Sequence, residues 1–479
     1  MIAGAVRLAR SLAAIVALVG CTPAPPLPPK PSIAADADAE RVQRWRRFLV
    51  DYLRVDTTSP PGNEALAAPV LSAALTEVGL SPRTTTVAPG RVNVMAVLAA
   101  AAPDPGAGPL ILLHHIDVVP AEVDRWTVPP FAGLERDGKL YGRGAIDTKS
   151  LAALHLYALE RLAKAPARLK RSVVFLAVSD EESLGLGAQH FVAHELRALG
   201  AEYLLDEGGF AIRRFLGEHD VAVIATAQKR TSKLRLTVRG AAGHGSRPLP
   251  TGGPSLLARA LVRLLDDPPP MRLGPYNAPL FGALASIAPF PKSVVMAQIE
   301  APGVLSALSG ALSADKNLNP ILRDTLALTV VAAGDKSNVI PSEGSAIFDL
   351  RLLPDTDVER LVAELNAKVQ DLGGTIEILE GPLPPAEPSP TADPLFQAIR
   401  EGILAHAPAT TVSPWLLVGA SDARFFRAQG VKTYGFDPIF LDKEALDTIH
   451  GHDEAVKISE LEAGMRIYAE VLERFLLRP

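Results

Sequence analysis

Histidines and carboxylates recur in this chain in six short motifs: HHIDVVP (114–120), GRGAIDTK (142–149), SDEES (179–183), LLDEGG (204–209), AAGHGSRP (241–248) and IHGHDE (449–454). The first four lie at the ends of apolar runs that read as strands. Imidazole nitrogens and carboxylate oxygens are the ligands that suit zinc and related divalent ions. Together the motifs supply enough of them for two metal ions, with one acidic residue left over as a base. That combination points to metal-assisted hydrolysis.

The individual residues divide the work as follows. His115 follows an apolar strand, and Asp117, two residues on, is placed to orient the imidazole and fix its tautomer. Asp147 ends a glycine-rich turn before a helix, so it reads as an N-cap, a metal ligand, or both through different oxygens. Glu181 and Glu182 are adjacent. One can bind metal while its neighbour takes a proton from water whose pKa zinc lowers towards ~7. Asp206 and Glu207 follow a third strand, and one of the two serves as a ligand. His450 completes the set. His155 and His190 lie in helical patterns and read as structural. His114 points to the strand face opposite His115 and reads as a core or supporting residue.

The elements that must position these residues are legible as patterns. PLILLHH (109–115) and RSVVFLAVS (171–179) are near-continuous apolar runs with a helix between them, as in strands buried on both faces of a parallel sheet. Ligands at the carboxyl ends of such strands converge on one crevice. Helices are expected at Asp38 to Val55, Ala65 to Val78, Lys149 to Lys164 and Ser459 to Leu477. From about Lys233 the texture changes. KLRLTVRG (233–240) and AIFDLRLL (346–353) alternate polar and apolar residues, as antiparallel strands with one wet face do. Helices Ser255 to Leu265 and Asp357 to Leu372 accompany them, and residues 266–330 form a long insertion punctuated by proline. The reading is α/β. A discontinuous catalytic domain (38–232 and 381–479) has a mostly parallel central sheet flanked by helices, and a lid-type α+β domain (233–380) is inserted in it. A length of 479 residues fits two domains.

A composition of 48% hydrophobic and 21% charged residues is that of a globular protein, and a net charge of −5 with no basic stripe excludes nucleic acid as an expected partner. At the N-terminus, Arg7 and Arg10 precede a short apolar stretch ending in Leu18-Val19-Gly20-Cys21. This resembles the lipobox of bacterial lipoprotein signal peptides. It implies a signal peptide over 1–20, cleavage before Cys21, and acylation of Cys21. It also implies a proline-rich tether (21–37) that holds the folded body off a membrane of the cell envelope. Cys21 is the single cysteine, so no disulfide forms within one chain.

The motif order, with DTTSPPGNE (56–64), WTVPPFAG (126–133), NVIPSEG (338–344) and the D.R..P pattern at 349–354, resembles a family of dinuclear zinc metallopeptidases. Its members include aminoacylase, succinyl-diaminopimelate desuccinylase, glutamate carboxypeptidase and carboxypeptidase S. The resemblance runs from about Arg54 to His452 and is closest to the carboxypeptidase S and N-acyl-amino-acid hydrolase branch. It implies that His115 and either Asp206 or Glu207 bind one zinc, that Asp147 bridges both, and that Glu182 and His450 bind the other. Cobalt or manganese would suit the same ligands. Glu181 is the implied general base and Asp117 the support for His115. His244 would stabilise the oxyanion from the same or a partner subunit, and Asn338, Arg351 and Gly419 would contact substrate. His452 and Asp453 compete with His450 as ligand, and Arg230 stands where the family commonly has glycine. The expected activity is amide hydrolysis of N-acyl amino acids or dipeptides with a free carboxylate. A carboxypeptidase acting on longer peptides and an inactive lipid-anchored binding protein are the alternatives, and the lid domain leaves both monomer and homodimer open.

Overall fold

The computed structural model describes residues 35–478. The expected signal peptide, Cys21 and the tether up to residue 34 lie outside the described residues. The first helix begins at Ala35 and runs to Leu53, so it takes up the last residues assigned to the tether. Its apolar stripe of Val42, Trp45, Leu49, Tyr52 and Leu53 recurs at helical spacing and is buried. Among the described residues no helix is long and apolar enough to cross a membrane.

A ten-stranded sheet organises the larger part of the chain. Its order is Arg83–Ala88, Arg91–Leu98, Val173–Val178, Leu110–His115, Tyr203–Asp206, Lys432–Gly435, His219–Gln228, Phe210–Leu216 and Phe440–Leu441, with Thr411–Leu417 also paired to His219–Gln228. The middle four strands, from Val173–Val178 to Lys432–Gly435, run parallel. Antiparallel strands extend the sheet on either side. Every residue of Leu110–His115 and Val173–Val178 is buried, which is why their sequences lack alternation. Helices Lys149–Leu162, Pro394–His406 and Ile458–Leu476 share one core with this sheet. The mostly parallel α/β architecture read from the sequence is therefore present.

A second, antiparallel sheet has the order Thr325–Ala332, Glu343–Leu352, Arg230–Arg239 and Gly374–Glu380. Burial alternates strictly along Glu343–Leu352, and the inward residues pack with helices Gly253–Asp266 and Val358–Val369. The insertion holds four short helices, Ala278–Ala285, Lys292–Ala297, Val304–Ala314 and Leu318–Leu322. Tyr276, Leu280, Leu284 and Ile321 pack against Val221, Val223, Ala227 and Leu416, so the insertion covers one region of the large sheet. Arg230 stands at the junction of the two sheets and donates to the carbonyls of Leu383 and Thr356.

Candidate metal centre

The cluster forms where the parallel strands end. His115 is the last residue of its strand and only 2% exposed. Its Nδ1 donates to the backbone carbonyl of Asp117 at 2.8 Å, which leaves Nε2 for the carboxylates of the cluster. Nε2 lies 3.0 Å from Asp147 Oδ1 and 3.9 Å from Glu207 Oε1. The second oxygen of Asp147 lies 3.0 Å from His450 Nε2, which is in turn 3.4 Å from Glu182 Oε1. One carboxylate thus stands between two imidazoles. Ligand atoms of His115, Glu181 and Glu207 lie within 4.8 Å of one another, as do those of His115, Asp147 and Glu182.

Local hydrogen bonding explains these placements. The 56–64 segment runs beside the loop after His115: Ser59 N donates to the Val118 carbonyl and Thr57 Oγ1 to the Ile116 carbonyl. Asp117 is fully buried, and its two oxygens accept from the amides of Glu181 and Glu182 at 3.1 and 3.0 Å. Its carboxylate therefore fixes the Glu181–Glu182 turn, while its backbone carbonyl orients His115, with the carboxylate 3.8 Å from the same Nδ1. Arg91 braces the same turn from behind through Glu64 and Asp180, and Asp180 has φ of +71°. The helix after Asp147 begins at Lys149 with Thr148 at the N-cap position and no side-chain cap. Asp147 is thus not the cap, and both of its oxygens face histidines.

The two acids left open by the sequence are separated by their partners. Asp206 is buried and accepts from the amide of Ala423 at 2.9 Å, whereas Glu207 reaches the cluster. His452 and Asp453 are engaged elsewhere: His452 lies 3.5 Å from Glu122, and Asp453 accepts from the amide of Thr127. His114 is fully buried in the core, edge-on to Phe175 and His155.

The electrostatics call for a cation. Burial works against a proton on His115, yet its hydrogen bond to Asp147 and the charge of Glu207 hold its pKa well above the ordinary value. Hydrogen bonds to Asp147 and Glu182 push His450 up to about 10. Burial and Asp422 raise the Glu181 carboxyl, and burial and Asp147 raise that of Glu207. Among the described residues, the one lysine or arginine in ion-pair contact with these acids is Arg424, 3.4 Å from Glu181. Two imidazoles and four carboxylates that share so little positive charge fit a pair of divalent ions.

The remaining expected residues lie in other surroundings. His244 is exposed on a two-residue strand paired with Val339–Ile340, and its Nδ1 is 2.8 Å from Ser246 Oγ. Asn338 is its neighbour in this ribbon and accepts the Gly245 amide through its carbonyl. Arg351 forms a two-point ion pair with Asp349 two residues away on the same strand. Gly419 follows the Thr411–Leu417 strand. No described hydrogen bond or ion pair joins His244, Asn338, Arg351 or Gly419 to the cluster. The sequence reading missed Glu64, Arg91 and Glu454, which are buried or nearly so and tie the ligand-bearing loops together. Glu454 closes the IHGHDE motif, three residues beyond Gly451.

A cluster at the carboxyl ends of parallel strands, with one carboxylate set between two imidazoles, is an arrangement that suits a pair of metal ions. The chain belongs to Peptidase family M20/M25/M40, whose profile matches residues 111–474. It is 32% identical over 378 residues to human N-fatty-acyl-amino acid synthase/hydrolase PM20D1, covering 77% of this chain and 74% of that one. It is 26% identical over 426 residues to pig Aminoacylase-1, covering 88% and 92%. Among solved structures it resembles the M20 family metallo-carboxypeptidase Sso-CP2 from Sulfolobus solfataricus, with a TM-score of 0.67, 18% identity and coverage of 91% and 99%. The protein is an enzyme, a hydrolase of this metallopeptidase and aminoacylase family.

Proposed function

We propose that the chain hydrolyses the amide bond of N-acyl amino acids, or of dipeptides with a free carboxylate. Its metal pair, zinc by preference, would be held by His115 and Glu207 on one side, Glu182 and His450 on the other, and Asp147 between them. The placement of Asp147, with one oxygen at 3.0 Å from each imidazole, carries this reading. The relatives named for N-acyl amino acid chemistry support the substrate class.

Bound metal ions would supply Lewis acidity for the scissile carbonyl and make the attacking water acidic at neutral pH. Glu181 is the base: its backbone is fixed through Asp117, and Arg424 contacts one of its oxygens. It takes the proton of the attacking water and returns it to the leaving nitrogen. His244, Asn338 and Arg351 act from the lid ribbon and sheet on the oxyanion and the substrate carboxylate, and Gly419 offers backbone contact. Cys21 anchors the enzyme to a cell-envelope membrane as a lipoprotein.

The test pairs metal analysis with turnover on N-acyl amino acids, dipeptides and longer peptides, for wild type and Glu181→Gln. The expected result is about two metals in both proteins, with kcat of the variant reduced by about 10²–10⁴. Full activity in the variant would remove Glu181 from the mechanism, and turnover confined to longer peptides would select the carboxypeptidase reading.

A further inference from the structure

We propose that the buried Arg143–Glu454 pair is a clasp that builds the second metal site, the one formed by Asp147, Glu182 and His450. The inference rests on the two-metal reading above. Asp147 and His450 come from loops some 300 residues apart in sequence, and something must hold the two loops in register. The short strands Lys139–Tyr141 and Ala455–Lys457 pair antiparallel, and the Gly142 amide extends that ladder to the Glu454 carbonyl at 3.0 Å. Beyond this point the chains diverge, one into the GRGAID turn and the other into the His450 turn.

The Glu454 side chain fills the fork. It is fully buried and accepts from four donors: the amides of Gly144, Ile146 and Asp147 at 3.1, 2.7 and 3.1 Å, and Arg143 Nη1 at 2.7 Å. The other arm of the Arg143 guanidinium donates to the Gly451 carbonyl at 2.7 Å, next to His450. Glu454 therefore grips the backbone of Asp147, and Arg143 grips the turn that carries His450. The indole of Trp126 lies 5.2 Å from the guanidinium, and the Thr127 amide holds Asp453. This gives the WTVPPFAG stretch a task in the clasp. His450 itself has φ of +57°, a conformation that a loop must be constrained to keep. A buried ion pair is a weak source of stability compared with well-packed apolar residues, so a positioning role accounts for its placement better than a stabilising one.

The clasp touches neither His115 nor Glu207; it holds the His450 turn as well as the shared Asp147, so its loss should fall more heavily on the metal that His450 would bind. The full chain would be stripped with a chelator and titrated with Zn²⁺ by calorimetry, with the visible spectrum of a Co²⁺ titration as a second readout. Three proteins are compared: wild type, Glu454→Gln and Arg143→Lys. Arg143→Lys keeps the charge beside Glu454 but loses the fork that reaches Gly451. It decides the question if Glu454→Gln does not fold. The expected result is two ions in wild type. In the variants the first ion should bind within about threefold of wild type and the second about 10–100-fold more weakly. Folded variants that bind both ions as wild type does, or that lose both equally, would overturn the clasp. Fewer than two ions in wild type would instead bring down the two-metal reading on which the clasp depends.

Discussion

Replacing Arg91 by methionine should cost more than any surface charge change, because it strands two buried acids beside the Glu181–Glu182 turn. Arg91 Nη1 lies 2.8 Å from Glu64 and 2.6 Å from Asp180, whose side chains are 0% and 1% exposed. Nη2 adds bonds to Ser59 Oγ and the Pro61 carbonyl. With charge centres about 4 Å apart and an effective dielectric of about 20, each pair is worth about 4 kcal/mol before desolvation is counted. Breaking such a pair by removing one partner costs about 3–5 kcal/mol net. The pH dependence has a definite sign. Burial already raises the Glu64 carboxyl above its ordinary value, and without Arg91 it rises further. A carboxyl whose folded pKa is raised destabilises the fold as pH climbs through that pKa. The deficit of Arg91→Met should therefore be largest at alkaline pH and shrink as Glu64 takes up its proton. Urea unfolding of the metal-free protein at about pH 8 and about pH 5.5 measures both effects. A deficit under about 1 kcal/mol at the higher pH, or one that grows on acidification, refutes the reasoning.

Two further outcomes follow from the same geometry. Glu207→Gln should weaken metal binding at the His115 side, whereas Asp206→Asn should leave metal content at the wild-type value; metal analysis after dialysis distinguishes them, and the reverse pattern would exchange their roles. His155 has both ring nitrogens buried without a partner, and burial pulls its pKa down to about 3. Because its folded pKa is depressed, the stability it permits near neutral pH is lost as the pH falls below the unfolded value of about 6.5. That loss is worth about 2 kcal/mol by pH 5. His155→Leu should escape it, and parallel acid titrations of stability check the difference.

Much of this centre was legible because its chemistry constrains residue type and order. Fully apolar runs mark strands buried on both faces, and the ligands come directly after them, as with His115 after Leu110–Leu113. What was not legible depends on partners distant in sequence. Nothing in IHGHDE shows that its final glutamate reaches back to residues 144–147. The insertion at 266–330 lacked a readable role because its helices are short and their buried faces are set by the Val221–Ala227 and Leu416 surface they cover. Local sequence allowed Asp147 to be a helix cap as well as a ligand, because an acid is favoured there. The tertiary pull of two histidines decided otherwise.

The hardest distinction, between acids that bind and acids that support, is drawn by saturation rather than by residue type. Asp117, Asp206 and Glu454 each accept backbone amides: from Glu181 and Glu182, from Ala423, and from Gly144, Ile146 and Asp147 respectively. Their negative charge is met in part by these fixed dipoles, and at Glu454 by the Arg143 guanidinium as well. The side chains of Asp147, Glu182 and Glu207 accept no backbone amide among the described hydrogen bonds, and their oxygens face imidazoles or one another. Burying acids in that state is costly without a cation. The saturated acids hold rigid the loops that carry the unsaturated ones. Asp117 grips the amides of Glu181 and Glu182, and Glu454 grips the amide of Asp147. Each supporting carboxylate thus spends its hydrogen bonds on the backbone of a residue whose own side chain is left free. That division supports the proposal of Glu207 rather than Asp206 as the ligand.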